Sequence, residues 1–459
     1  MTNIKKLCMG LGMFAISHAL PAIEVSEFNL DNGLKILVKE DHRAPVVVSQ
    51  VWYKVGGSYE SEGTTGLSHM VEHMMFKGTD KHGPGDFSLI MSENGAEENA
   101  FTARDYTAYF QTIAKDRLEL CFEMEADRMR SLKLDQSEFA KEREVVLEER
   151  RTRTDDNPNS LLYEYFAATA YQTSTYQNPV IGWRSDIENY TLADLQAWYQ
   201  RWYAPNNAIL VVVGDVEPKN VYALAKKHFG PLKPSDIQAT KPRPEVPQMG
   251  TKRITLKRPA KLPYLIMGYK VPVLNLVEPE QAWEVYALDL LAEILDGDDS
   301  SRLSKNLVRG QEIATSVSAG YSLNDRLEDL FTFAGIPAKG QTVETLEQAI
   351  YQQVEVLKNT LVEEAELDRI KVRLKASKIY EQDSLFYQGM KIGMLETVGL
   401  DWRVGEDYLK QIAAITPEQI QAVAKKYLVE DRLTVGVLEP TELDNATAVT
   451  MPITMGVVH

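Results

Sequence analysis

The chain has 459 residues, a net charge of −16, and 44% hydrophobic and 25% charged residues. This is the composition of a folded globular protein of about two to four domains, and it excludes collagen-like, disordered and disulfide-rich classes. The acidic charge argues against a nucleic-acid-binding protein, which would carry a basic face, and leaves a basic partner or substrate open. Only Cys8 and Cys121 occur, so a zinc site built from CxxC pairs is excluded.

The first 22 residues have the pattern of a secretory signal peptide. Lys5 and Lys6 form a positive segment, and the ten apolar residues 7–16 that follow are too few to span a bilayer. We therefore expect an exported protein, periplasmic in a bacterium, whose mature chain keeps only Cys121 and has no membrane span. The alternative interpretation of this segment is a buried N-terminal helix.

The most informative segment is GLSHMVEHMMFKG, residues 66–78. On a helix, His69 and His73 lie one turn apart on the same face, where two neutral imidazoles bind one zinc ion. Glu72 lies beside them and suits a general base better than a ligand, because it can take a proton from a water whose pKa the metal lowers. The HxxEH pattern is rare by chance in a chain with seven histidines, so it predicts metal binding.

A zinc site for hydrolysis needs a third protein ligand and an open position. The best source is EREVVLEERR, residues 142–151, where Glu142 and Glu149 share a helix face. Glu149 is the candidate third ligand, and Glu142 is a candidate partner that orients a histidine. The alternative interpretation is a solvent-exposed helix held by salt bridges, which is the commoner meaning of such a charge run.

A proline-rich polar stretch, residues 234–250, predicts a linker between residues 23–233 and residues 251–459. The two halves resemble each other, since residues 191–218 and residues 416–440 both read as a helix with a threonine N-cap followed by a β-branched strand. A Tyr-Lys-Val triplet also follows an apolar run in each half. We infer a gene duplication that produced two homologous domains.

Both halves mix strands with long helices, such as those predicted at residues 136–154 and 343–361. The strands come in early and late groups and do not alternate strictly with helices. This pattern predicts an α+β fold of two homologous domains, each a mainly antiparallel sheet with helices packed on one face.

These segments together resemble the pitrilysin-like zinc peptidases (family M16, the inverzincins), in particular the short two-domain type that includes the mitochondrial processing peptidase β subunit and bacterial relatives. The resemblance covers nearly the whole chain after the signal segment and rests on GLSHMVEHMMFKGT, NAFTARDYTAYF, EREVVLEERR, NPVIG and YAPNNAILVVVGDV. It implies one zinc ion per chain on His69, His73 and Glu149, with Glu72 as general base and Glu142 supporting the site.

The resemblance also implies that residues 99–102 form an edge strand beside the zinc, to which a peptide substrate adds as a further strand. Asn99 would hold the substrate near its carbonyl group, Ala100 would offer backbone hydrogen bonds, and Phe101 belongs to the same segment. The alternative is an ordinary polar turn that enters a strand. Two acidic residues directly before this segment favour basic peptides, although surface acids also serve solubility.

In this family an arginine and a tyrosine of the second half bind the substrate carbonyl oxygen. Here the matching positions are Val308 and Thr315, and Arg309 is one position off. We therefore expect a heterodimer in which a homologous subunit supplies the Arg–Tyr pair. A homodimer that uses Arg309 or Tyr321 is the alternative.

The sequence thus predicts an exported zinc metalloendopeptidase that hydrolyses unfolded peptides, with Glu72 as the base that activates a zinc-bound water. One alternative is a non-catalytic structural subunit of the same fold, although such relatives typically lose the zinc ligands that this chain keeps. Another is a zinc hydrolase that acts on something other than peptides.

Overall fold

The computed structural model of the protein describes residues 25–238 and 243–442. The predicted signal peptide at residues 1–22 lies outside these ranges and stays a prediction. Eleven strands occur in the described ranges: β1 (Val25–Asn29), β2 (Lys35–Glu40), β3 (Val46–Tyr53), β4 (Glu97–Thr102), β5 (Thr107–Ala114), β6 (Ala208–Gly214), β7 (Lys252–Pro259), β8 (Tyr264–Val271), β9 (Ala314–Gly320), β10 (Asp329–Pro337) and β11 (Leu433–Thr441).

The same described ranges contain fourteen α-helices: α1 (Leu67–Met74), α2 (Asp86–Glu93), α3 (Leu118–Ser131), α4 (Gln136–Arg150), α5 (Pro158–Ala170), α6 (Arg184–Asn189), α7 (Leu192–Trp202), α8 (Pro218–His228), α9 (Ala282–Asp296), α10 (Val343–Asn359), α11 (Glu364–Glu381), α12 (Leu385–Thr397), α13 (Val404–Ala414) and α14 (Pro417–Tyr427). None of these described helices is both long enough and apolar enough to cross a membrane.

The first half of the chain folds around a six-stranded sheet with the order β1-β2-β6-β3-β5-β4. Strands β2 and β6 pair in parallel, and all other neighbours pair antiparallel. One face, with side chains such as Val38, Val51 and Leu210, packs against α1, α3, α7 and α8. The predicted α+β class with a mainly antiparallel sheet is confirmed, and this half's own helices pack on that one face.

The second half repeats this arrangement in a five-stranded sheet with the order β7-β11-β8-β10-β9, in which β7 and β11 are the parallel pair. This order matches β2-β6-β3-β5-β4, so β1 alone among the described strands lacks a counterpart. The two similar sequence segments become α7 followed by β6 and α14 followed by β11. Both helices begin with a capping box, at Thr191 with Asp194 and at Thr416 with Gln419.

Each half also places one helix on the second face of the other half's sheet. Helix α12 lies across β3 and β6, and α5 lies across β7, β8 and β11. Glycine permits these close approaches, since a Cβ at Gly393 would lie 2.1 Å from Cε2 of Trp52, and one at Gly268 would lie 2.8 Å from Cζ of Phe166. The exchange interlocks the two halves and was not part of the sequence prediction.

The predicted linker, residues 234–250, has no regular secondary structure where it is described. It is nevertheless fixed to both halves through Glu245. The buried carboxylate of Glu245 accepts hydrogen bonds of 2.8–3.1 Å from the backbone N–H groups of residues 172–174, which follow α5. It also pairs with the buried ammonium group of Lys270 on β8. The boundaries of the two predicted domains stay a prediction.

Candidate metal centre

The first turn of α1 is fixed by residues outside the HxxEH motif. The helix begins after Gly66, whose φ of 88° lies in the left-handed region, and a Cβ there would lie 2.4 Å from the carbonyl oxygen of Ile181. The buried carboxylate of Glu60 accepts hydrogen bonds from the N–H groups of Gly66 at 2.6 Å and Ser68 at 2.7 Å. These bonds satisfy donors that a helix start leaves unpaired.

His69 and His73 lie one turn apart on α1, with ring centroids 4.7 Å apart. Glu149 reaches them from α4, with one carboxylate oxygen 3.7 Å from Nε2 of His69 and the other 3.3 Å from Nε2 of His73. The three ligand atoms lie within 4.8 Å of one another. In residues 25–238 and 243–442, this is the one group of histidine, cysteine or acidic side chains that is arranged to hold a metal ion.

Glu142 and Lys77 hold the second histidine in place. An oxygen of Glu142 lies 3.1 Å from Nδ1 of His73, and its other oxygen lies 2.5 Å from Nζ of Lys77. Because Nδ1 of His73 is engaged in this way, Nε2 is the nitrogen presented to Glu149. Such a carboxylate–histidine contact is typical of metal sites, where it fixes the ring that binds the ion.

Glu72 faces the end of strand β4. The hydroxyl group of Thr102 donates a hydrogen bond of 2.5 Å to Oε2 of Glu72. Thr102 and Ala100 lie two residues apart and therefore on the same face of the strand. Ala100 packs against the hydrophobic core that also contains residues of α1. The candidate base therefore has one oxygen held by the strand that was predicted to bind substrate.

Strand β4 lies at the edge of its sheet and pairs with β5 alone among the described residues. Asn99 is exposed there, and its side-chain oxygen accepts a hydrogen bond of 2.9 Å from the N–H group of Ala100. Phe101 points to the opposite face and packs edge-on against Trp52, with ring centroids 5.7 Å apart. A contact between Phe101 and a peptide would therefore use its backbone. The substrate-binding roles of these three residues stay predictions.

The surroundings shift the pKa values of the site residues in opposite directions. Burial lowers the pKa of His69 to about 4, so its imidazole is neutral at pH 7 and able to bind a metal. Burial also opposes charge on His73, but hydrogen bonds to Glu142 and Glu149 outweigh it and raise its pKa to about 9. Burial raises the pKa of Glu72 and thereby makes its carboxylate a stronger base.

The donor set fits the predicted zinc ion. Two imidazole nitrogens and one carboxylate oxygen are a ligand combination found in catalytic zinc sites, which keep a fourth position open for water or substrate. His69, His73 and Glu149 supply this set, and the bond between Glu142 and His73 adds the outer support that such sites use.

Family models and named relatives match this chain over most of its length. The family model for Insulinase (Peptidase family M16) matches residues 35–183, and that for the Peptidase M16 inactive domain matches residues 189–374. The zinc protease PqqE of Helicobacter pylori is 35% identical over 448 residues, which cover 96% of this chain and 98% of that protein. The chain belongs to peptidase family M16. The second M16 match begins within the first structural half, ahead of α7.

Further M16 relatives and solved structures share the fold. The uncharacterized zinc protease YmxG of Bacillus subtilis is 23% identical over 89% of this chain and 96% of its own length. The crystal structure of a protease from Helicobacter pylori has a TM-score of 0.86 at 32% identity and covers 91% of this chain and 100% of its own. A structure of the peptidase M16 inactive domain from Pseudomonas fluorescens has a TM-score of 0.79 at 20% identity, covers 92% of this chain and 100% of its own, and supports the fold alone.

Val308 and Thr315, the positions where the family resemblance implies an arginine and a tyrosine, lie beside and on β9. Val308 packs against the core of the second half, and Thr315 is exposed. Arg309 is exposed and donates a hydrogen bond to a nearby backbone carbonyl group. The hydroxyl group of Tyr321 donates a hydrogen bond of 2.5 Å to the carbonyl oxygen of Pro272. The side chains of Arg309 and Tyr321 are therefore already engaged within the chain.

Four residues of this M16 site were missed by sequence reasoning. Lys77 and Arg153 each lie four residues after a site residue, and Arg153 pairs with Glu149, so helical spacing was a usable signal. Thr102 lies two residues after Ala100 and therefore on the same strand face. Glu60 gives no local signal, because its contact with the start of α1 depends on a turn of the chain.

Proposed function

We propose that this chain is a zinc metalloendopeptidase that hydrolyses unfolded peptides. The observation that carries the proposal is the convergence of His69, His73 and Glu149 from two helices, with Glu72 beside them. The hydrogen bond from Thr102 to Glu72 links this cluster to the edge strand β4. Relatives named zinc proteases that align over nearly the whole chain add support.

When bound, zinc polarises the attacking water and the carbonyl group of the substrate. Glu72 removes a proton from the water as the water oxygen attacks the carbonyl carbon, and it passes this proton to the amine nitrogen as the C–N bond breaks. Thr102 holds one oxygen of Glu72 and leaves the other for the water. Glu142 keeps the ring of His73 turned toward Glu149.

The open edge of β4 suits an extended peptide. A peptide strand that adds to this edge forms backbone hydrogen bonds beside Glu72, and an unfolded chain offers such a strand along its length. Glu97 and Glu98 begin β4, and the chain carries a net charge of −16. Because opposite charges attract a ligand to a surface, we propose that basic peptides are preferred.

Assembly and location extend this proposal. Val308 and Thr315 replace the arginine and tyrosine that the family resemblance implies, so we propose a heterodimer in which a homologous subunit supplies that pair. A homodimer is the alternative. The signal-like residues 1–22 support export, with the bacterial periplasm as the proposed location.

The test combines metal content with peptide cleavage. The purified protein, its E72Q variant and an E148Q control on the exposed side of α4 are assayed for zinc and for cleavage of a mixed unstructured peptide library. We expect about one zinc per chain in all three and, with a homologous subunit present, cleavage by the wild type and E148Q only. Cleavage by E72Q at the wild-type rate would refute the role of Glu72.

The same assay addresses the other candidates. Zinc without cleavage by the wild type, alone or with a homologous subunit, would favour the non-catalytic alternative, to which the match with an inactive-domain family model also points. Equal cleavage of basic and acidic peptides would contradict the proposed preference.

A further inference from the structure

Arg153 lies at the metal-binding cluster because a π-helical turn continues α4. This turn spans Arg151–Asp155, and Arg153 comes four residues after Glu149. Its guanidinium group pairs with Oε1 of Glu149, the oxygen that lies 3.7 Å from Nε2 of His69. The side chain of Arg153 is 73% exposed, so it stands on the solvent side of the cluster, where a substrate arrives.

The two preceding arginines are engaged elsewhere. Arg150 is buried and pairs with Glu164 at 2.8 Å, and Arg151 pairs with Glu148 at 2.5 Å. These contacts engage both side chains, and Arg153 is the one of the three that contacts a predicted zinc ligand. A guanidinium group carries five N–H donors, so a pair through one nitrogen leaves donors for another acceptor.

The chemistry of the site calls for such a donor. As water attacks a peptide bond, the carbonyl oxygen gains negative charge, and hydrogen-bond donors placed at that oxygen lower the barrier. In the second half, Val308 and Thr315 occupy the positions where the family resemblance implies donors, and Arg309 donates to a backbone carbonyl group. Lys77, a further cation near the cluster, is bound to Glu142 on the Nδ1 side of His73.

We propose that Arg153 donates a hydrogen bond to the carbonyl oxygen of the scissile peptide bond as that oxygen becomes negative. This inference rests on the proposed peptidase function. The water oxygen bonds to the carbonyl carbon, the π electrons of the carbonyl move onto the oxygen facing Arg153, and the water proton moves to Glu72. When these electrons return, the C–N bond breaks and the amine takes the proton from Glu72. Arg153 transfers no proton in these steps, and a homologous subunit adds to this donor.

The experiment must separate this role from orientation of Glu149. R153M removes the donor, R153K keeps the charge but not the planar group, and R151M is the matched control on the same turn. Three quantities are measured: steady-state cleavage, zinc affinity by chelator competition, and the affinity of a phosphinic peptide, whose tetrahedral anionic group resembles the transition state. Binding of an uncleaved peptide to E72Q and E72Q/R153M measures ground-state affinity.

We expect R153M to lower kcat by about 100-fold and to lower the affinity for the phosphinic peptide by a similar factor. The transition state and the phosphinic group both carry negative charge on the oxygen that Arg153 would contact. Zinc affinity and ground-state peptide affinity should change by less than about threefold. R153K should recover part of kcat, and R151M should match the wild type.

Two results would overturn the assignment. In the first, R153M loses zinc and regains full cleavage when zinc is in excess, which would mean that Arg153 only orients Glu149. In the second, kcat and phosphinic peptide affinity are unchanged. If the wild type cleaves no peptide but binds the phosphinic peptide through Arg153, the proposed function fails, and Arg153 keeps only the role of a donor to an anionic tetrahedral group.

Discussion

Glu245 holds the predicted linker to both halves, and one of these contacts is its ion pair with Lys270. We therefore expect the protein to lose stability when either of these two residues is replaced. The side chains of Glu245 and Lys270 are only 1% and 3% exposed. Replacing one of them, as in E245Q or K270M, leaves a buried group without its counter-charge, which costs about 3–5 kcal/mol. The double variant removes both charges, so we expect it to cost less than the sum of the single changes, with a coupling energy of about 2 kcal/mol or more.

The expected change can be measured by calorimetry. For a chain of 459 residues that unfolds as one unit, an unfolding entropy of about 2.1 cal/mol/K per residue gives about 1 kcal/mol/K. A loss of about 3–5 kcal/mol then lowers Tm by about 3–5 °C in each single variant. Single variants within 1 °C of the wild type, or a double variant as unstable as the sum, would refute the reasoning.

The same pair predicts a pH dependence. Burial opposes charge on Glu245, but hydrogen bonds from Lys270 and from the backbone N–H groups of residues 172–174 outweigh it and lower its pKa to about 2. Because the pKa is lower in the folded state than in the unfolded state, the stabilisation is complete above about pH 5 and is lost as the pH falls toward 2. The wild type should therefore lose about 3 kcal/mol more than E245Q over this interval. Parallel stability curves would contradict the assignment.

Three further changes test the site and the interlocked halves. E149Q should lower zinc affinity by about 100-fold or more, because it weakens a predicted ligand; unchanged chelator competition would rule that role out. T102V should lower kcat by about tenfold at unchanged zinc content, since it removes the hydrogen bond to Glu72, the proposed general base; a change in zinc content would argue against this. G393A should lower stability by about 2 kcal/mol or more, because its Cβ would lie 2.1 Å from Trp52. The control G320A makes only an ordinary contact of 3.7 Å and should not lower stability. Equal Tm values for the two variants would show that α12 shifts freely.

Local spacing predicted much of the site. A helix places His69 and His73 on one face whatever surrounds it, and the same period places Glu142 and Glu149 together on α4. The sequence also indicated the duplication, through the threonine caps before α7 and α14 and the strands that follow these helices. These features depend on contacts within a few residues, which a linear pattern records.

Tertiary packing decided the rest of the site. That Glu149 meets the two histidines depends on how α4 packs against α1, and spacing alone left a salt-bridged surface helix as an open alternative. The contacts of Glu60 with α1 and of Thr102 with Glu72 join residues on different elements. Arg153 reaches the cluster because α4 continues as a π-helical turn, and the residue types did not predict this turn.

The exchange of α5 and α12 between the halves also separates what local sequence patterns predict from what tertiary packing decides. Sequence patterns alone predicted that each half is a mainly antiparallel sheet with its own helices, because the grouping of strands and helices along the chain is visible in local patterns. Only the tertiary structure determined that each sheet receives a helix from the other half, and that Glu245 and Lys270 bury opposite charges between them. Such contacts depend on the shape and charge of surfaces built from residues far apart in the sequence, so they leave no periodic signal in the chain.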